Sequence, residues 1–174
     1  HNNLGNVLQQ VNELKEARLH YLKAIDLNPN YLDARINLAT LLYKLEEHDT
    51  AIGQLKEAID LSPGSSVAYY HLGNSLKILE QFDQALVAYK KALSLEPNNA
   101  SAYNNSGIIQ RHIKRLTSAG IDYKRAIIIQ GDLNEAYFNY AFLLNLKSEY
   151  VLAKKYYLKA ILLLPSSFDT YNEL

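Results

Sequence analysis

Apolar residues recur through this chain with the spacing of a helix face. Ala34, Leu38, Leu41, Leu42 and Leu45 follow the i, i+3, i+4, i+7 rule, and Ala51, Leu55, Ala58 and Ile59 follow it again after a short polar gap. The same two-helix pattern then returns. Tyr21-Leu22-Lys23-Ala24-Ile25-Asp26-Leu27-Asn28-Pro29, Leu55 to Pro63 and Tyr89 to Pro97 start 34 residues apart, and Tyr123 to Ile129 and Tyr157 to Pro165 keep step without insertion. Self-similarity at such a period marks stacked repeats rather than one closed core.

The spacing predicts helix pairs over 1–11/15–27, 32–46/49–61, 66–80/83–95, 100–114/117–129 and 134–148/151–163. Asp49, Asp83 and Thr117 stand where the second helices begin and are expected to cap orphan backbone amides with their side-chain oxygens. Pro29, Pro63, Pro97 and Pro165 are expected to stop those helices, since proline cannot continue the ladder; Gly131 replaces proline in the fourth copy. Small residues form two stripes: Gly5, Ala39, Gly73, Gly107 and Ala141 in the first helices, and Ala17, Ala51, Ala85, Ala119 and Ala153 early in the second. Only small side chains let two helix axes approach closely there. Leu4, Leu38, Leu72 and Tyr140, with Tyr21, Leu55, Tyr89, Tyr123 and Tyr157, are the larger fillers around them.

This order of small, small, aromatic, alanine and proline at a 34-residue period, with Tyr69, Tyr103 and Tyr137 near helix starts, resembles the tetratricopeptide repeat family over essentially the whole chain. The departures are local. His1 and Arg35 occupy the aromatic slot of the first two copies, and Ser106, Gln110 and Gly131 make the fourth the expected soft joint. The resemblance implies an all-α fold, a right-handed superhelical solenoid of about five antiparallel helix pairs in which first helices line a concave groove and second helices face outward. A single array is expected, with repeats at 1–31 (partial), 32–65, 66–99, 100–133 and 134–167 and the start of a sixth at 168–174, as a piece of a longer protein.

If first helices line the groove, its display can be read off. One row is Asn3, Asn37, His71, Asn105 and Asn139; a second is Asn2, Ile36, Tyr70, Asn104 and Phe138; a third is Asn6, Thr40, Asn74, Ile108 and Phe142. An asparagine ladder suits an extended backbone because each amide supplies donors and an acceptor, while Tyr70, Phe138 and Phe142 offer anchor area. A similar asparagine row lines the repeats of O-linked N-acetylglucosamine transferases, which this chain more distantly resembles. The basic clamp with which some family members hold acidic chaperone C-termini is not matched, because Val67, His71, Glu135 and Asn139 stand in its slots.

Composition narrows the partner. Lysine plus arginine equal aspartate plus glutamate at 18 each, so no global field favours nucleic acid or anionic lipid. Cysteine is absent, which fits a reducing compartment, and a cytoplasmic location is expected. No apolar run reaches the ~18 residues of a membrane span. His1, His20, His48, His71 and His112 form no i, i+4 pair and sit at no metal-ligand spacing; the seven glycines form no phosphate loop. The expectation is a protein-interaction scaffold without enzyme activity, metal or cofactor, whose ligand is an extended, weakly charged peptide or a partner's helix. End-to-end self-association, or service as the substrate-selecting arm of a larger transferase, is the alternative.

Overall fold

The computed structural model describes residues 1–163. Among them lie ten helices and no strand: α1 (Asn2–Gln10), α2 (Leu14–Leu27), α3 (Leu32–Lys44), α4 (His48–Leu61), α5 (Ser66–Ile78), α6 (Phe82–Leu95), α7 (Ala100–His112), α8 (Leu116–Ile129), α9 (Asn134–Leu146) and α10 (Tyr150–Leu162). Pro165 and the expected start of a sixth repeat lie outside the described residues. Two compact units are distinguished, one over His1–Pro97 with α1 to α6 and one from Asn98 onward with α7 to α10.

Each odd-numbered helix packs against the even-numbered helix that follows it, and inside each unit the second helix of one pair packs against the first of the next. In the first unit the core gathers Tyr21, Leu38, Leu41, Leu42 and Leu55 around Ala17, Ala51 and Ala58. In the second unit Tyr123, Tyr140, Leu143 and Leu144 surround Ala119 and Ala153. The alanine stripe is buried throughout, as its role at the closest helix approach requires.

The first helices end earlier than the apolar pattern extends, because the chain turns within it. Leu45 closes α3, Glu46 takes a left-handed conformation at φ 62°, and Glu47 N–H then bonds the Leu42 carbonyl at 2.9 Å while Glu46 N–H bonds Tyr43. This double closure, a Schellman motif, recurs in every pair with Asn12, Glu46, Glu80, Lys114 and Ser148 as the left-handed residues. Glycine is the usual occupant of that conformation, and none of the five is glycine.

The turn overturns the expected caps. The N-cap residues of α4, α6 and α8 are Glu47, Gln81 and Arg115, none with a side-chain cap bond, while Asp49, Asp83 and Thr117 lie inside the first turn. The Schellman turn feeds straight into the second helix, so the cap falls one residue after the left-handed position and two before those side chains. Asp49 and Asp83 contribute instead through their charge near a helix N-terminus. Side-chain caps occur on first helices: Ser65 Oγ accepts from Ala68 N at 3.2 Å and Asn99 Oδ1 from Ala102 N at 2.9 Å. The second helices stop before proline, at the extended residues Asn28, Ser62 and Glu96, and Gln130 does the same ahead of Gly131. That geometry therefore does not depend on the proline.

Candidate functional site

Within each unit, asparagines of consecutive first helices meet. In the first unit Asn37 Nδ2 donates to Asn2 Oδ1 at 3.0 Å, and Asn2, itself buried, donates onward to the Tyr31 hydroxyl at 3.4 Å. In the second unit Asn139 Nδ2 donates to Asn104 Oδ1 at 3.0 Å, with Asn104 again buried. Both rungs join residues 35 apart, one step beyond the repeat, and so tie consecutive first helices together. Each spends one amide hydrogen of the outer asparagine and fixes its orientation. The next rung of the first unit lacks the partner, because buried Ile36 precedes His71 there.

A second set of amides is committed inward. The Tyr21 hydroxyl donates to Asn6 Oδ1 and the Tyr89 hydroxyl to Asn74 Oδ1, both at 2.7 Å and both across 15 residues. These tyrosine rings are buried, and a buried phenol needs a partner. Asn6 and Asn74 thus hold the core as well as lining the first-helix face. Ile108 takes this position in the fourth repeat, and Arg111 Nε donates to Tyr123 Oη there instead at 3.3 Å. The Arg111 guanidinium also lies 4.8 Å over the Phe142 ring, an attraction of the cation for the ring face.

The expected anchors differ in availability. Tyr70 is half-buried between the His71 and Tyr89 rings. Phe138 is 54 % exposed, edge-on to Tyr157 at 5.4 Å, and borders a cavity of about 380 Å³ with Glu135, Asn139 and Ile161. Asn3 is exposed and Asn105 half-buried. Burial pushes the His71 imidazole and the Lys77 ammonium below their ordinary values. A fall from an ordinary value already below 7 leaves the His71 imidazole mostly neutral at pH 7, with one ring nitrogen donating and the other accepting.

On the face of α7 that carries Tyr103, the fourth repeat has Ser106 and Gln110 where its sisters carry leucine or, at Tyr140, tyrosine. Ser106 Oγ donates to Asp122 Oδ2 at 2.7 Å, and Gln110 Nε2 reaches the same oxygen at 2.6 Å and Ser106 Oγ at 3.0 Å. Desolvation raises the Asp122 carboxyl above its ordinary value, opposed by those two hydrogen bonds and by Arg125. The repeat pattern does not single out Asp122, whose sequence signal is a charge where the third repeat has Ala88. No group of three or more histidine, aspartate or glutamate side chains among the described residues could hold a metal ion, and no described helix is long and apolar enough to cross a membrane.

Helix pairs repeated without a strand, packed through small residues, define an all-α helical-repeat solenoid. Two family models, each described as tetratricopeptide repeat, match residues 1–31 and 66–99 in one case and residues 20–53 and 88–120 in the other. The chain belongs to the tetratricopeptide repeat family. No curated protein matches it. Among solved structures it is similar to MamA, at 24 % identity and a TM-score of 0.81 over 91 % of this chain and 93 % of that one. It is also similar to YrrB, described as a TPR protein with an unusual peptide-binding site, at 23 % identity and a TM-score of 0.73 over 99 % and 90 %. Pseudomonas aeruginosa pilF has 20 % identity and a TM-score of 0.85 over 91 % and 72 %. These likenesses show the fold.

Proposed function

We propose that this chain is a protein-interaction scaffold whose first-helix faces hold an extended, weakly charged peptide through asparagine amides, with aromatic side chains as anchors. The observation that carries the reading is the pair of rungs Asn37–Asn2 and Asn139–Asn104. A ligand-facing amide usually loses side-chain freedom on binding, at a free-energy cost. Here an internal bond already orients each outer amide, and Nδ2 of Asn37 and Asn139 retains a second hydrogen beside an acceptor Oδ1. Such a group can donate to a peptide carbonyl and accept from a peptide N–H whatever the side chains are. Tyr70, Phe138 and Phe142 supply area for selectivity, and Asn3, Asn6, His71, Asn74 and Asn105 complete the polar lining. YrrB, by its description, binds peptide, and the same use is inferred for this chain.

The test is capture of a partner, reduction to a short peptide, and calorimetric titration against wild type and the Asn37→Ala/Asn105→Ala/Asn139→Ala variant. Neutral hydrogen bonds contribute roughly 0.5–1.5 kcal/mol each, so the triple variant should bind at least several-fold more weakly, with little dependence on salt. Circular dichroism checks that the helices persist. Equal affinity in the two proteins places recognition elsewhere.

A second reading, assembly through self-association, is favoured by α10. Val151 is 90 % and Leu162 79 % exposed there, and Ile161 is exposed beside Phe138. Sedimentation across a wide concentration range separates the two readings: a persistent monomer rejects assembly.

A further inference from the structure

The five repeats present one structural slot in five versions, and the third is open. The slot lies between the face of the first helix that carries Tyr69 or its counterpart and a residue midway along the second. In the first repeat it is closed by His1 and His20, whose Nδ1 atoms are 2.9 Å apart. In the second, Arg35 reaches across to Gln54 Oε1 at 3.2 Å and to Glu57. The fourth fills it with the Ser106–Gln110–Asp122 bonds, and the fifth with Tyr156 packed on Tyr140 at 4.8 Å and Tyr137 at 6.1 Å. The third repeat has Ala88 where the others have histidine, glutamine, aspartate and tyrosine. A cavity of about 560 Å³ is left, floored by Tyr69, Leu72, Leu76 and Ala88.

Its rim has two chemically different ends. Lys56 on α4 and Lys91 on α6 line it from opposite walls, at nearly matching positions of consecutive repeats. Asp83 and Gln84 lie on α6 about two turns back, about 12 Å from Lys91 along the helix at 1.5 Å per residue. The ion pairs seen among the described residues are Arg18–Glu47 and Arg35–Glu57, so neither lysine is neutralised by one of them. The floor is apolar, the rim carries one cation from α4 and one from α6, and the acceptors lie about two turns back along α6. At 3.6 residues per turn, Tyr69, Leu72 and Leu76 project from the opposite side of α5 to Tyr70, His71 and Asn74.

We propose that this cavity is a second docking site, separate from the first-helix face, for a partner-protein segment carrying an apolar side chain next to acidic residues. The apolar side chain fills the space that Ala88 leaves, its carboxylate neighbours lie between Lys56 and Lys91, and backbone N–H groups reach Asp83 and Gln84. Charge complementarity at one end and donors at the other fit a peptide. A fatty acid satisfies the lysines but presents nothing to Asp83.

The probe is acetyl-Leu-Phe-Glu-Glu-amide, titrated into isotope-labelled protein while amide resonances are followed by NMR, with acetyl-Leu-Phe-Lys-Lys-amide and acetyl-Ser-Asn-Glu-Glu-amide as comparisons. Saturable shifts are expected around Leu72, Leu76, Ala88 and Lys91, with each comparison peptide at least about five-fold weaker, as loss of the charge pairs or of the anchor implies. Ala88→Gln, which installs the second repeat's own residue, should abolish the shifts. Lys56→Glu/Lys91→Glu, at exposed positions, should reverse the preference between the Glu-Glu and Lys-Lys peptides. The proposal is overturned if the Glu-Glu peptide produces no saturable shift, if the Lys-Lys peptide binds as well, or if Ala88→Gln binds unchanged. None of these outcomes depends on the asparagine rungs.

Discussion

Gly73 and Tyr89 are fitted to each other: a Cβ on Gly73 would lie 2.6 Å from Tyr89 Cε1 and 2.7 Å from Cδ1. Gly5 with Tyr21 and Gly107 with Tyr123 repeat the contact at 2.6 Å. Where the first helix has alanine instead, the partner changes. Ala39 faces Leu55, and Tyr157, opposite Ala141, is only half-buried and turns edge-on to Phe138. The buried ring and the bare helix backbone are thus one packing unit.

Gly73→Ala should accordingly destabilise the protein, by roughly 1–3 kcal/mol for overpacking less up to about 1 kcal/mol regained from helix propensity. Combining it with Tyr89→Leu, the second repeat's natural pair, should cost less than the two single changes added together. Urea denaturation of the four proteins gives the coupling. A stabilised Gly73→Ala variant contradicts the contact.

The left-handed residues predict an effect of opposite sign. Glu80 holds φ 56° with a full side chain, and the left-handed conformation costs a non-glycine residue about 1 kcal/mol or more. Glu80→Gly should raise the thermal midpoint, even after the greater chain entropy of unfolded glycine is subtracted. Glu47→Gly, at the N-cap of α4 with φ −84°, should lower it. The paired comparison uses one substitution type in two backbone conformations.

Asp122 makes stability depend on pH. Its carboxyl titrates higher in the folded chain than the ordinary value, chiefly through desolvation. Stabilisation by the neutral acid is thus complete below the unfolded value and is lost as pH rises through the raised folded one. Asp122→Asn can still accept from Ser106 and Gln110 but cannot ionise, so its stability relative to wild type should improve between pH 3.5 and pH 7. A difference that stays flat across that range rejects the shift.

Two turns beyond Ala85 on α6, Ala92 is fully buried and Lys90, two residues earlier, is exposed. Ala92→Leu should cost roughly 1–3 kcal/mol by overpacking, whereas Lys90→Gln should stay within about 0.5 kcal/mol. Equal melting shifts for the two are inconsistent with the observed helix faces.

What the sequence determined by itself is whatever repeats within one helix pair. The 34-residue period, the apolar spacing and the small stripes specify helices, their order and their buried faces, because those depend on local periodicity and on side-chain size at one contact. Tertiary structure decided the rest. Asn37 meets Asn2 rather than standing free because neighbouring first helices cross at that level, and a 35-residue separation is invisible to a 34-residue comparison. Asn6 and Asn74 look like surface amides until the tyrosine hydroxyls 15 residues away are seen to need them. Asp49 and Asp83 carry the right chemistry for caps, but the left-handed turn starts each second helix before they are reached. The cavity above Ala88 is the extreme case. A short side chain is compatible with close packing or with empty space, and only the surrounding Tyr69, Leu72 and Leu76, none of which fills the volume, decides between them.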